Sequence, residues 1–202
     1  MHFFTPIGHY EGPIKTKFGL PRQGRFIENL KGKIYIHPKY AQAEAFRGLE
    51  DFSHLWLIWL FSENLDKGSH PTVRPPRLEG NKRMGVFATR SPFRPNGIGM
   101  SAVKLEGITH EDGNIIIEVS GADLMDRTPI LDIKPYIPYA DSIPDALAGP
   151  FQAQPPSYPV RWEVAEEKAD GLSEEDKALI LAIVSQDPRP AYKSKKTQDD
   201  KT

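Results

Sequence analysis

The chain of 202 residues contains no cysteine. That removes disulfides, thiolate zinc sites, iron–sulfur clusters and cysteine nucleophiles together, and it fits a reducing compartment. Strong charge of either sign is also missing: 26 Lys and Arg stand against 27 Asp and Glu, a formal net charge of −1. Nothing global advertises nucleic acid, so any such partner must be held by a local patch. Long apolar runs are absent. The most apolar stretch, Leu55 to Phe61, is far too short to span a bilayer. Met1-His2-Phe3-Phe4-Thr5-Pro6 lacks the basic start, apolar core and cleavage site of a signal peptide, and the expected location is cytoplasmic, with no membrane partner.

Several motifs are missing as well. Gly97-Ile98-Gly99 is a lone GxG without the third glycine and helix of a dinucleotide fingerprint, which excludes a Rossmann reading. No Walker lysine motif is present, and no serine sits in a nucleophile elbow. His2, His9, His37, His54, His70 and His110 are scattered without ligand spacing, so no metal is expected. His54, inside an apolar strand, reads as a hydrogen-bonded core histidine.

What is present is proline, 19 residues spread along the chain, which argues for loops and short strands rather than helical bundles. Strands are expected over Phe3–Tyr10, Lys33–His37, Phe52–Phe61, Met84–Thr89, Val103–Thr109, Ile115–Val119, Ile130–Tyr136 and Val160–Val164. Glu111-Asp112-Gly113-Asn114 reads as a hairpin turn with Asp-Gly at its centre. Tyr40–Phe46 reads as a short helix. Ser173 with Asp176 gives an N-cap signal ahead of the apolar run Ala178–Val184. The fold class is mainly β, with a small α+β C-terminal segment. The chain divides into a domain over 1–145, a proline- and alanine-rich linker over 146–159, and a segment over 160–202 whose end, Lys193–Thr202, frays.

The most distinctive stretch runs from Gly85 to Ser101, with Arg90 and Arg94 in a loop stiffened by Pro92 and Pro95. It reads either as an anion or ligand clamp or as an ordinary loop with solvated arginines. Upstream, Arg74, Arg77, Lys82 and Arg83 extend a basic run broken only by Glu79; it either follows a phosphate backbone or is a solvated face. Asp123, Asp126 and Asp132 have the opposite sign. They either accept from hydroxyls or move a proton, or they are turn caps and a surface pair with Lys134.

Gly85-Val86-Phe87-Ala88-Thr89-Arg90-Ser91-Pro92-Phe93-Arg94-Pro95-Asn96 followed by Ile98-Gly99, with Asp123-Leu124, Asp126, Thr128-Pro129 and Asp132-Ile133-Lys134-Pro135-Tyr136, resembles the TsaA/TrmO (YaeB-like, VirR-like) family. Pro21-Arg22-Gln23, Arg47-Gly48-Leu49, Phe52-Ser53-His54-Leu55-Trp56, Arg74-Pro75-Pro76-Arg77 and Gln186-Asp187-Pro188-Arg189-Pro190-Ala191-Tyr192 fit the same pattern. The resemblance implies a single-sheet β-barrel, non-Rossmann methyltransferase that uses S-adenosylmethionine. It implies N6 methylation of threonylcarbamoyl-adenosine beside the anticodon of threonine tRNA, by a homodimer. Cofactor contacts carried over fall at Gln23, Gly24, Arg25, Ser62, Glu63, Arg90, Met100, Arg127, Thr128, Pro129 and Ile130. Arg74, Arg77, Arg83 and Arg94 are the expected tRNA contacts, and Asp126, Asp132 and Tyr136 the candidate bases. Gly97 stands where many members have proline. The chain ends soon after Tyr192, whereas longer bacterial members continue into further strands; the expectation is an effect on substrate grip rather than on cofactor binding. The alternatives are a methyltransferase acting on another nucleotide or small molecule, and a non-catalytic RNA-binding barrel.

Overall fold

In β3 (His54–Leu60) Leu55, Leu57 and Trp59 are buried, while the residues between them are half-buried. In β7 (Asn114–Ser120) Ile115, Ile117 and Val119 are buried in the same alternation. A period of two puts these side chains on one face of each strand. A sheet with one continuous apolar face must cover it, and this one does so by closing on itself. The computed structural model describes residues 4–17, 19–21, 23–78, 82–111, 113–163 and 171–187. Among them are β1 (Gly8–Glu11), β2 (Lys31–Ile36), β6 (Ile98–Glu111) and β8 (Pro129–Pro135). With β3 and β7 they form a closed antiparallel barrel in the order β1-β2-β7-β6-β3-β8, in which β8 pairs back onto β1. Tyr10, Ile34, Leu55, Leu57, Val103, Ile117 and Ile130 are fully buried at its centre. Each large aliphatic side chain so buried contributes about 1.5–3 kcal/mol relative to exposure.

Because every neighbouring pair is antiparallel, the ends of β1, β3 and β7 and the starts of β2, β6 and β8 point the same way. The connections 12–30 and 121–128 therefore lie at one end of the barrel. The connection 37–53 lies at the other, and so does the tight β6–β7 turn, where Glu111 pairs with Asn114 and Gly113 takes φ 78°.

The chain divides into two compact units, residues 1–62 with 98–143, and residues 63–97 with 144–202. The first holds the barrel. The second holds a two-stranded sheet of β4 (Thr72–Val73) and β5 (Met84–Gly85), together with a helix, numbered α3 below. The short helices α1 (Ala43–Phe46) and α2 (Pro138–Asp141) belong to the first unit. No helix of the described residues is long and apolar enough to cross a membrane.

Several local expectations need correction. The strand expected over Met84–Thr89 is only Met84–Gly85, and Val86–Ala88 forms a 3-10 turn. The alternation there is overridden by Arg94, whose Nη1 donates to the carbonyls of Thr89 (2.7 Å) and Val86 (3.2 Å) and holds the chain curled. Residues 160–163 carry no regular structure and belong to the second unit, not to the barrel; Val164 lies outside the described residues. The expected helix Tyr40–Phe46 splits into a 3-10 turn, Pro38–Tyr40, and the single turn α1. The long strand β6 begins at Ile98, earlier than its β-branched core suggests. The capping box is present: α3 (Glu174–Ser185) opens with Ser173 Oγ accepting from the Asp176 N–H at 3.0 Å. The expected frayed tail lies outside the described residues.

Candidate active site

The loops at one barrel end are held in unusual backbone. Among the described residues only Arg25, Arg127 and Asp187 have positive φ without being glycine. Arg25 has φ 68° and Arg127 φ 64°, and each is pinned to the barrel unit by a backbone bond. The Arg25 N–H donates to the Gly121 carbonyl at 2.8 Å, and the Arg127 N–H to the Tyr10 carbonyl at 2.7 Å. Left-handed backbone costs an ordinary residue about 1–2 kcal/mol, and such residues gather at ligand sites. Gly121, the acceptor of the Arg25 bond, is itself at φ 76°, the left-handed backbone that glycine adopts without penalty.

Three side-chain arrangements brace this end. Trp59 Nε1 donates to Ser101 Oγ at 3.0 Å, and Ser101 Oγ donates to Asp123 Oδ1 at 2.5 Å. Asp126 receives the Gly12 N–H on Oδ1 at 3.1 Å and Lys15 Nζ on Oδ2 at 2.8 Å, which ties loop 12–30 to loop 121–128. Burial alone would raise the Asp126 pKa. The Lys15 and Gly12 hydrogen bonds and the charges of Lys15 and Arg127 outweigh it and hold the carboxyl below its usual range. Arg127 Nη1 meets Glu11 Oε1 at 2.8 Å and His9 Nε2 at 3.1 Å, with its side chain 69% exposed. Tyr10 is fully buried beneath them, and its hydroxyl is the one buried side-chain polar atom without a partner among the described residues. Burial, then the charges of Asp126 and Asp123, push its phenol well above the usual range.

The residues expected from sequence fall as follows. Gln23 and Gly24 are half-buried and Arg25 is exposed. Met100 is 58% exposed on β6, an unusual setting for an apolar side chain on a barrel strand. Thr128 is buried, and its hydroxyl donates to the Met125 carbonyl at 2.7 Å. Ile130 is fully buried in the barrel core, so its side chain offers nothing to a ligand outside. Ser62 closes the barrel unit, while Glu63 and Arg90 belong to the second unit. Of the basic residues there, Arg77 donates to the Ala153 carbonyl, Arg83 bonds Thr72 Oγ1 at 3.2 Å, and Arg94 lies 5.7 Å from the Phe87 ring centroid. Arg74 is exposed.

The three candidate bases are far apart in the fold. Asp126 precedes β8 at the braced end. Asp132 lies within β8, with Oδ2 2.9 Å from Lys134 Nζ. Tyr136 follows β8 at the opposite end, where it packs 5.4 Å from Trp56 and edge-on to His54 at 6.3 Å. His54 itself is half-buried, with Nδ1 2.9 Å from Ser53 Oγ. Burial, then the charges of Arg25 and Lys104, lower its pKa. No group of three or more His, Asp or Glu among the described residues is placed to hold a metal ion. Ser101, Trp59, Lys15 and Tyr10 escaped sequence reasoning. Each looks like ordinary strand or loop composition; Trp59 and Ser101 are 42 residues apart and Lys15 and Asp126 are 111 apart, and the Tyr10 hydroxyl has no partner to search for.

Arg25 and Arg127, exposed on fixed left-handed backbone at one barrel end, can present cationic hydrogen-bond donors to an anionic group. The family model described as tRNA-methyltransferase O N-terminal domain matches residues 9–142. The chain is 45% identical over 195 residues to the "tRNA (adenine(37)-N6)-methyltransferase" of Escherichia coli (strain K12), covering 94% of this chain and 83% of that protein. It is 45% identical over 196 residues to the "Putative S-adenosylmethionine-dependent methyltransferase RcsF" of Pseudomonas aeruginosa, covering 95% and 83%. The solved structure titled "Crystal structure of TrmO from Pseudomonas aeruginosa" superposes with a TM-score of 0.76 at 40% identity, over 94% of this chain and 83% of that one.

Proposed function

The chain belongs to the family defined by the tRNA-methyltransferase O N-terminal domain, and from that premise we propose that it is an S-adenosylmethionine-dependent tRNA methyltransferase acting on N6 of adenine 37. The observation that carries the reading is the pair of strained arginines, Arg25 and Arg127, fixed at one end of a closed barrel, within a chain similar along most of its length to a methyltransferase of that printed activity. The substrate is proposed more finely as threonylcarbamoyl-adenosine in threonine tRNA, and the protein as a cytoplasmic homodimer. Residues 1–145 are the proposed catalytic domain, in keeping with the family match over 9–142. Residues 146–159 are the proposed linker, and 160–202 a C-terminal segment.

When bound, the methyl donor supplies an electrophilic sulfonium methyl group. The barrel unit's share of donor binding is assigned to Gln23, Gly24, Arg25, Ser62, Met100 and the Arg127–Ile130 stretch. In this assignment the arginines take the donor's carboxylate by charge-assisted hydrogen bonds, and Met100 offers an apolar face. Pro129 and Ile130 contribute backbone only. Positioning of the reacting groups provides much of the rate in such a displacement, which suits loops locked by Asp126, Gly121 and Tyr10. The exocyclic N6 is a weak nucleophile until its proton leaves. Asp126, already paired with Lys15 and held low, has little basicity for that task, so it is assigned to bracing; Tyr136 lies at the barrel end opposite the donor loops, which leaves Asp132 as the proposed base. The target base must leave the anticodon stack, and the adjacent phosphates fall to Arg74, Arg77, Arg83 and Arg94.

Purified protein should bind S-adenosylmethionine and methylate threonine tRNA that carries threonylcarbamoyl-adenosine, while leaving the unmodified transcript untouched. Methylation of the bare transcript would refute the finer substrate; absence of donor binding would refute the enzyme. Arg90→Ala should weaken donor binding about tenfold or more, the size of a lost charge-assisted hydrogen bond. Unchanged affinity would remove Arg90 from the donor contacts.

A further inference from the structure

The chain of hydrogen bonds from Trp59 through Ser101 to Asp123 crosses the barrel wall from the core to the loop end, and nothing in the mechanism above uses it. Trp59 on β3 is 7% exposed and Ser101 on β6 is 4% exposed, and the two strands pair directly in this region, Trp59 opposite Gly99 and Leu57 opposite Ser101. The indole donates to the hydroxyl, which must then spend its own proton on Asp123 Oδ1. A serine hydroxyl has one proton, so accepting from the indole fixes the direction in which that proton points. Asp123 is thereby held in one rotamer. Above it lies Gly24: a Cβ there would sit 3.5 Å from Asp123 Oδ1, 3.4 Å from the Ala102 carbonyl and 3.5 Å from the Gly121 carbonyl. The carboxylate therefore lies beside the loop whose next residue is the strained Arg25, with room for about one methyl group between them.

We propose that Trp59 and Ser101 are positioning residues that act through Asp123: their hydrogen-bond chain sets the carboxylate, the carboxylate sets the backbone of Gln23–Arg25, and the Trp59 indole consequently senses methyl-donor binding at that loop. The inference rests on the assignment of Gln23–Arg25 to the donor site. A buried indole N–H needs a partner in any case, and Ser101 supplies it; what that satisfaction alone does not require is the onward bond from Ser101 to Asp123 at the loop end. A short polar path from a buried tryptophan to a surface loop orients that loop where an apolar core would leave it free to adjust.

The test uses the full chain carrying Trp56→Phe and Trp162→Phe, so that Trp59 is the sole emitter. S-adenosylmethionine should shift its emission. Adding Ser101→Ala should abolish the shift and raise KM for the donor about tenfold, the size expected for one lost buried hydrogen bond, with kcat changed less than about twofold. Asp123→Asn, which keeps the oxygen that accepts from Ser101, should restore most of the lost affinity when compared with Asp123→Ala. This conservative rescue and the KM-against-kcat split are not moved by a role in stability alone. If Ser101→Ala misfolds, the Asn and Ala variants of Asp123 decide the matter by themselves. Donor affinity and emission response that are equal in the parent and the folded Ser101→Ala variant, or in the two Asp123 variants, would overturn the relay while leaving the donor site standing. Failure of the parent to bind the donor by calorimetry would overturn the donor site and the relay with it.

Discussion

Arg25 and Arg127 show how a residue is made to serve a site at the expense of its own backbone comfort. Glycine accepts φ near 64° without the penalty that Arg127 carries, and the exposed ion pair of Arg127 with Glu11 is worth at most about 1 kcal/mol. Arg127→Gly should therefore melt within a few degrees of the parent yet bind S-adenosylmethionine about tenfold more weakly; a large drop in Tm would mean that the side chain serves the fold instead. Asp126 carries a pH signature. Its folded pKa lies below the unfolded value of about 3.9, so its stabilisation is present above that value and is lost as pH falls through the folded pKa. Urea titrations should find Asp126→Asn less stable than the parent at pH 7, with the gap closing towards pH 3. A gap independent of pH would contradict the Lys15 pairing as its source. At this scale Arg25 and Arg127 came forward in the sequence through the family resemblance. Their strain did not, because a left-handed φ at a non-glycine residue is imposed by the Gly121 and Tyr10 carbonyls, which are remote in the chain.

At the level of elements, β3 and β6 carry both the core and the site. Trp59 is accommodated because Gly99 faces it: a Cβ at Gly99 would fall 2.4 Å from the indole Cε2. Gly99→Ala should displace the ring and cost about 1–3 kcal/mol, the usual range for overpacking, read as a lower urea midpoint with altered tryptophan emission. An unchanged midpoint would show that the strands can separate to make room. Gly97 has φ 55°, a value that a proline ring forbids, so the junction before β6 follows a different backbone path from the stiff one the neighbouring prolines suggested. The strand Leu55-Trp56-Leu57-Ile58-Trp59 was readable because a short apolar run rich in aromatics is a local property. The Ser173–Asp176 box was readable for the same reason. The curl at Val86–Ala88 was not, since it depends on Arg94 reaching back to two carbonyls, and β4 was not, since a two-residue strand exists only through its partner.

For the molecule as a whole, barrel closure decides which loops can cooperate. The order β1-β2-β7-β6-β3-β8 brings loops 12–30 and 121–128 to one end although about a hundred residues separate them in sequence. A mainly β class could be expected from short strands and abundant turns, and the barrel from the family resemblance, but the strand order could not be read, because the β1–β8 and β3–β8 pairings join segments with no local trace of each other. That closure gives the family resemblance its physical content: the motifs around Gln23 and Asp126 belong together because the barrel makes their loops neighbours, tied by the Gly12–Asp126 and Arg25–Gly121 bonds. Salt dependence tests the nucleic-acid side at this scale. Binding of tRNA through Arg74, Arg77, Arg83 and Arg94 should fall steeply with salt, and replacing Arg74 and Arg77 by alanine should flatten that slope without changing donor affinity. The most direct test of the central claim is nucleoside mass spectrometry of threonine tRNA from cells with and without the protein. The account predicts an N6-methylated threonylcarbamoyl-adenosine at position 37 that disappears when the protein is removed and returns with the parent sequence. Persistence of that methyl group in its absence, with the loss appearing at another nucleotide or nowhere, would contradict it.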